Sequence, residues 1–264
     1  MHQDMARCVE VILRRDEAAA ERVVRLDGMT ALLDTRTPDV WDANWLRVER
    51  PGLPIEQILA AGDETIGEAG MGHRTLWADD QEEGERLAAE LQPQGWKLER
   101  GVWMTLRRPP DREPDAGIEV EEVRLDDVEE SRREFLREDL AEYFDPVTDS
   151  ILDQHLIADR TWGEVSGDRW FAVREDGRVV SFCRLFSDDG VGQVEEVATL
   201  SHARNRGLAR SVVLAAVEAS KAEGHDLTFL GALADDWPRK LYARLGFEEI
   251  GSETVLYLRP DPTA

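Results

Sequence analysis

The chain ends twice in the same way. LQPQGWKLERGVWMTLRRP and LYARLGFEEIGSETVLYLRP each pass from helix-patterned sequence through a Gly-aromatic pair into strand-forming sequence. Gly95-Trp96 lies 151 positions before Gly246-Phe247, and the same offset carries Arg108-Pro109 onto Arg259-Pro260. Strand, helix, strand and helix precede each pair. A common offset with a common order of elements is the mark of an internal repeat. The 264 residues therefore read as two related α/β halves with a mixed sheet, rather than a bundle or a sandwich.

Proline marks the boundary between the halves. Pro109-Pro-Asp-Arg-Glu-Pro-Asp-Ala116 can continue neither a helix nor a central strand, which gives domains of 1–115 and 116–264. In the first half, residues 40–49 read as a strand, 54–64 as a helix, 73–78 as a strand and 79–92 as a helix. A strand pair follows around KLE and VWMTLR. In the second half, 117–124 is a strand, and 128–144 and 150–158 are helices. Residues 169–175 and 178–186 form a hairpin around Asp176-Gly177. A strand (193–200), a helix (207–224), a strand (226–233) and a helix (237–246) follow, then two strands, 247–250 and 253–259.

Charge narrows the function. With 32 basic and 56 acidic side chains the net charge is −24, which repels nucleic-acid backbones and anionic membranes. Neither is expected as a partner. No apolar run approaches the ~20 residues of a membrane span, and the N-terminal stretch is too soon interrupted by charge to be a secretory signal. A cytoplasmic protein is the expectation, with Cys8 and Cys183 reduced. No cluster of ligands has metal-site spacing.

Against that acidic background one segment stands out. Between Glu196 and Glu218 there is no acid, and the stretch contains Arg204, Arg206 and Arg210. A strand ends there, the chain turns, and a helix starts near Gly207. A helix start offers unpaired N–H donors and partial positive charge, and the small Gly207 and Ala209 let a diphosphate approach the backbone. An ordinary helix start with solvated arginines is the plain alternative. Neither G-x-G-x-x-G nor G-x-x-x-x-G-K-[ST] is present, which counts against a nicotinamide dinucleotide and a P-loop nucleotide.

Arg204-x-x-Gly207-x-Ala209 resembles the Q/R-x-x-G-x-G/A signature of the GNAT superfamily of N-acetyltransferases. It stands where that family places it, after the fourth strand and opening the third helix. Leu241-Tyr242-Ala-Arg-Leu-Gly246-Phe247 is similar to the family's second motif. The resemblance covers residues 117–259. It implies the acyl-CoA N-acyltransferase fold and acetyl-CoA as acyl donor. It also implies that the backbone of Val197, Ala198 and Thr199 binds the pantetheine. The diphosphate would then rest on Arg204, Asn205, Arg206, Gly207, Leu208 and Ala209, with Arg210 adding charge. Asp235 replaces the motif's usual Asn and Pro238 its usual Ala. Asp235 can accept a hydrogen bond but cannot donate one when ionised.

Acyl transfer to an amine needs a proton acceptor for the amine and a proton donor for the leaving thiolate. The resemblance places Tyr242 as that donor. Glu195 alternates with Val197 and Thr199, which predicts a shared face toward the thioester and makes it the candidate base, with Glu196 pointing the other way. A solvated glutamate is the alternative, and His155 and His202 are weaker candidates. Residues 119–149 hold 13 acids against 4 basic residues. By resemblance they wall the acceptor site, so the expected acceptor is a small cationic amine held by some of Glu138, Asp139, Glu142 and Asp145. A solvated helix face explains the same charges.

The first half lacks the phosphate-binding pattern, and Leu91 falls at the offset of Tyr242. It is expected to be a degenerate GNAT-like half without a cofactor site, as in tandem members of the family. Extending the sheet, shaping the acceptor pocket and forming a homodimer surface are its possible roles. The competing function is a non-catalytic acyl-CoA-binding or sensing protein.

Overall fold

A computed structural model describes residues 3–78 and 80–259. Pro260, the last member of the predicted repeat alignment, and Asp79, the first residue of the predicted 79–92 helix, lie outside them. The first half runs α1 (Gln3–Ala19), β1 (Arg22–Leu26), β2 (Met29–Leu33), β3 (Trp45–Val48), α2 (Ile55–Gly62), β4 (Arg74–Ala78), α3 (Gln81–Leu91) and β5 (Lys97–Leu106). The second runs β6 (Glu121–Val123), α4 (Leu125–Asp139), α5 (Asp149–Ser166), β7 (Arg169–Glu175), β8 (Arg178–Asp188), β9 (Val191–Thr199), α6 (Leu208–Ala222), β10 (Leu227–Leu233), α7 (Pro238–Arg244) and β11 (Phe247–Leu258).

All eleven strands join one mixed sheet, in the order β1-β2-β3-β4-β11-β5-β10-β9-β8-β7-β6. The two parallel pairs, β3 with β4 and β9 with β10, fall one in each half. The halves exchange their last strands: β11 lies against β4 of the first half, and β5 against β10 of the second. β5 and β11 pair antiparallel at the centre, from Phe247 opposite Leu106 to Tyr257 opposite Lys97. That pairing sets the last strands of the two halves side by side in opposite directions.

The Gly-aromatic pairs keep one role in both repeats. Gly95 and Gly246 have φ of 94° and 100°, ending the preceding helical turn in the left-handed region. A Cβ on Gly246 would lie 2.0 Å from the Arg108 carbonyl oxygen. Each strand pair predicted to follow is one strand, β5 and β11. Gly101 and Gly251 are not turn residues there. A Cβ on Gly101 would collide with the Glu253 side chain, and one on Gly251 with Met5. These glycines admit neighbours, and β11 continues through a bulge between Glu249 and Gly251.

Alternation along the strands separates two faces. Met104, Leu185, Val194 and Leu230 pack with α6 and α7, while Leu76, Ala78 and Leu256 pack with α2 and α3. The opposite face carries Trp77, Trp103 and Phe229 beneath α1, and Trp170, Phe182 and Ala198 beneath α4. The sequence reading left α1 and the β1–β2 hairpin unassigned, and it extended β3 back over a 3-10 turn at Trp41–Ala43. Cys8 and Cys183 are both free and buried.

Candidate active site

β9 and β10 pair only from Val191–Leu227 to Gln193–Phe229. Beyond Gln193 the strands part, so one backbone edge of β9 loses its strand partner. A bulge lies in the opened segment: Arg184 pairs with Glu195 but Phe182 with Ala198, and Glu196 has φ of 54°. An extra residue of this kind bends a strand and re-aims its side chains.

A cleft of ≈ 640 Å³ starts at the parted strands. Its floor includes Val197, Thr199 and Tyr242, and its wall is the turn into α6. Arg204, Asn205, Gly207, Leu208, Ala209 and Arg210 all line it. Gly207 has φ of 84°, and a Cβ there would meet only Ile118, at 3.8 Å. Among the described residues, the backbone N–H groups from Asn205 to Arg210 find no backbone acceptor. Open donors, a helix start and arginines fit a diphosphate. The Arg204 Nε–H donates to the Thr199 carbonyl at 3.1 Å, tying the turn to the strand.

Two expected cofactor residues stand outside the cleft lining. Arg206 does not line the cleft and pairs with Glu175 at 2.5 Å. The Ala198 side chain is buried under α4 on the other face of the sheet, which leaves its backbone in β9 between those of Val197 and Thr199. Asp235 is also absent from the lining; its neighbour Asp236 takes part instead. Trp237, which the sequence reading passed over, lies at the cleft and is 61% exposed.

Tyr242 is 6% exposed, and burial together with the charges of Glu195, Cys183 and Asp236 raises its phenol well above the ordinary value. It therefore keeps its proton at neutral pH.

The bulge overturns the expected face of Glu195. Val197 and Thr199 line the cofactor cleft, whereas Glu195 and Glu196 both reach a chamber on the opposite face. The inserted residue reverses the alternation between 195 and 197, which strict period-two reading could not anticipate. Burial raises the carboxyl pKa of each. Glu195 accepts from Gln193 Nε2 at 2.5 Å, and Glu196 pairs with Arg132.

The chamber has two lobes. One, of ≈ 220 Å³, shares Phe135 and Asp139 with the cofactor cleft, and its walls include Trp41, Glu99, Tyr143 and Tyr257. The other, of ≈ 280 Å³, is lined by Trp45, Trp77, Trp103, Trp162, Glu195 and Glu253 among others. Asp42 and Glu196 face both. Much of this wall comes from the first half, including Trp41, Asp42, Trp77, Glu99 and Trp103. Of the acids expected to hold the acceptor, Asp139 lines the chamber. Glu138 instead accepts from Ser201 at 2.9 Å and pairs with Arg204 at 3.5 Å. Glu142 and Asp145 are outside the lining of both lobes. His155 lines the first lobe, where burial lowers its pKa to about 4, so it is neutral. His202 is exposed, 4.0 Å from Glu134.

Residues 129–247 match the model of the acetyltransferase (GNAT) family. Among solved structures, the chain is similar to a functionally unknown conserved protein of Staphylococcus epidermidis, with TM-score 0.70 and 10% identity over 91% of this chain and 94% of that one. It is also similar to a GCN5-related N-acetyltransferase from Kribbella flavida, with TM-score 0.61 and 20% identity over 98% and 94%. A tandem GNAT protein from the clavulanic acid biosynthesis pathway aligns with TM-score 0.56 and 17% identity over 92% and 83%. No curated protein matches the chain. The expected α/β GNAT fold with a mixed sheet thus holds over nearly the whole length.

Proposed function

We propose that this chain, whose residues 129–247 match the acetyltransferase (GNAT) family model, transfers an acetyl group from acetyl-CoA to a small cationic amine. The observation that carries this reading is one connected space. The diphosphate-fitting cleft holds a protonated tyrosine at its floor and shares Phe135 and Asp139 with an acidic chamber.

The acyl donor supplies a thioester carbonyl open to attack. The residues of this chain do the rest. The turn from Arg204 to Arg210 holds the diphosphate, and the free edge of β9 from Val197 to Thr199 aligns the pantetheine. Asp139, which lines both the cleft and the adjoining lobe, takes a proton from the attacking nitrogen. Tyr242 gives its Oη proton to the departing sulfur, so an amide and the free thiol form together. A general acid or base of this kind is worth ~10²–10⁴-fold. The chamber favours a cation because its carboxylates outnumber its arginines. In this reading the first half carries no cofactor site and instead completes the acceptor chamber.

Calorimetric titration of acetyl-CoA into wild type and Gly207→Glu tests the donor site. Saturable binding in wild type and none in the variant is expected, because a carboxylate there blocks the backbone approach and repels the diphosphate. Absence of binding in wild type at millimolar acetyl-CoA overturns the reading. Thiol release that no amine stimulates, in protein that binds acetyl-CoA, would instead identify an acyl-CoA-binding protein.

A further inference from the structure

The proline-rich linker between the halves is fastened to the second half along its length. At its start the Arg107 N–H donates to the Gly246 carbonyl at 2.9 Å. Arg108 Nη2 donates to the Ala243 carbonyl at 2.6 Å, and the Asp111 N–H to the Arg244 carbonyl at 2.8 Å, both at the last turn of α7. The Arg112 carbonyl then accepts from Nη1 of Arg210, on the first turn of α6, at 3.2 Å. Just past the linker, Ile118 is the neighbour that a Cβ on Gly207 would meet. The linker thus passes from the end of α7 to the diphosphate-fitting turn, and Arg112 lines the cofactor cleft.

The arginines around that turn are not equivalent. Arg204 pairs with Glu138 and Arg206 with Glu175. Among the described residues, neither Arg112 nor Arg210 makes an ion pair, although the chain holds 56 acids to 32 bases. A contact between the two brings their uncompensated charges to one cleft, where they raise the local positive potential. The donor has two anionic parts to satisfy. Backbone N–H groups of the turn and Arg204 fit the diphosphate. The 3′-phosphate on the adenosine ribose is a separate monoester that carries close to two negative charges at neutral pH. A guanidinium fork matches two oxygens of such a group.

We infer that Arg112 binds the 3′-phosphate of the acyl donor, with Arg210 holding the linker in place and adding charge. The linker, rather than either half's own motif, then completes the donor site and selects CoA over its dephosphorylated form. This inference rests on the acetyl-CoA reading.

The test is calorimetric titration of CoA and of 3′-dephospho-CoA into wild type, Arg112→Gln and Arg22→Gln. Arg112 is exposed, so its loss leaves the fold intact. Arg22 is exposed on β1, at one edge of the sheet, and its variant controls for the change in net charge. Wild type should bind CoA about tenfold more tightly than dephospho-CoA. Arg112→Gln should weaken CoA about fivefold and leave dephospho-CoA within about twofold, so that the preference all but disappears. Arg22→Gln should move neither affinity by more than about twofold. Equal affinities in wild type, or a preference that survives Arg112→Gln, overturns the inference and leaves the acetyl-CoA reading standing. Binding of neither ligand at millimolar concentration overturns that reading and this inference with it.

Discussion

Arg132 on α4 closes a buried ion pair with Glu196 at the bulge of β9. The Arg132 side chain is 5% exposed, and its Nε–H also donates to Asp159 at 3.1 Å. Asp159 in turn accepts from the fully buried Arg184 at 3.0 Å. This network bolts the helices over the chamber to the strand that divides it from the cofactor cleft. A buried charge left without its partner costs about 3–5 kcal/mol. Arg132→Met should therefore destabilise the fold by about that amount at pH 8, measured by urea unfolding. Burial already holds the Glu196 carboxyl above its ordinary value, and removing Arg132 raises it further. A raised folded pKa penalises the ionised form, so the loss should shrink as pH falls toward 5. An equal loss at both pH values would show that packing, not charge, is responsible.

Tyr242 gives a second prediction. Tyr242→Phe keeps the ring against Phe247, with which it now packs at 6.4 Å between centroids, and deletes the proton donor. The expected loss in kcat is about 10²-fold, with the acetyl-CoA KM within about twofold. Because burial and nearby carboxylates raise the phenol, wild-type kcat should show no alkaline limb near pH 10, the ordinary phenol value. Unchanged kcat in the variant would remove Tyr242 from the chemistry.

How much of this was legible in the residues follows from what each signal measures. The Arg204–Ala209 turn and Tyr242 are local patterns on regular elements, and both line the cleft. The repeat was legible because Gly95 and Gly246 each stop a helix. Strand exchange was not, because partner choice between β5 and β11 is a long-range matter that no window contains. The bulge at Glu196 was hidden because alternation assumes period two, and one inserted residue reverses it. The chamber was hidden for a different reason: its walls are residues of both halves that meet only in the fold. Gly101 and Gly251 fell between the strands of each expected pair because a glycine that admits a neighbour and one that bends the chain are identical in sequence.

Trp237 supports a third prediction. An indole 61% exposed beside the diphosphate-fitting turn is poorly used by the fold itself. Its backbone N–H donates to Asp236 Oδ1 at 2.6 Å, which orients the start of α7. Stacking of a base on such a ring is worth ~1–3 kcal/mol. Trp237→Ala should raise the acetyl-CoA KM about tenfold with kcat and thermal stability unchanged. The same variant should barely alter affinity for acetylated pantetheine lacking the adenosine part. A proportional loss for both donors would place the indole on the pantetheine arm instead.

The last prediction concerns stability at Asp42. Burial, with Glu99, Asp16 and Glu195 nearby and Arg132 opposing them, pushes this carboxyl from 3.8 up to about 6. An acid whose pKa is raised by folding destabilises the fold when ionised: the penalty is absent below pH 3.8, grows between there and 6, and is complete above 6. Asp42→Asn removes it. The carboxylate is open to the cavity, so solvent screening reduces the gain to about 1 kcal/mol, or ~2–4 °C in Tm. Thermal melts should show the asparagine variant above wild type near pH 7.5 and level with it near pH 4. A variant less stable than wild type at every pH would mean that the ionised Asp42 stabilises the fold.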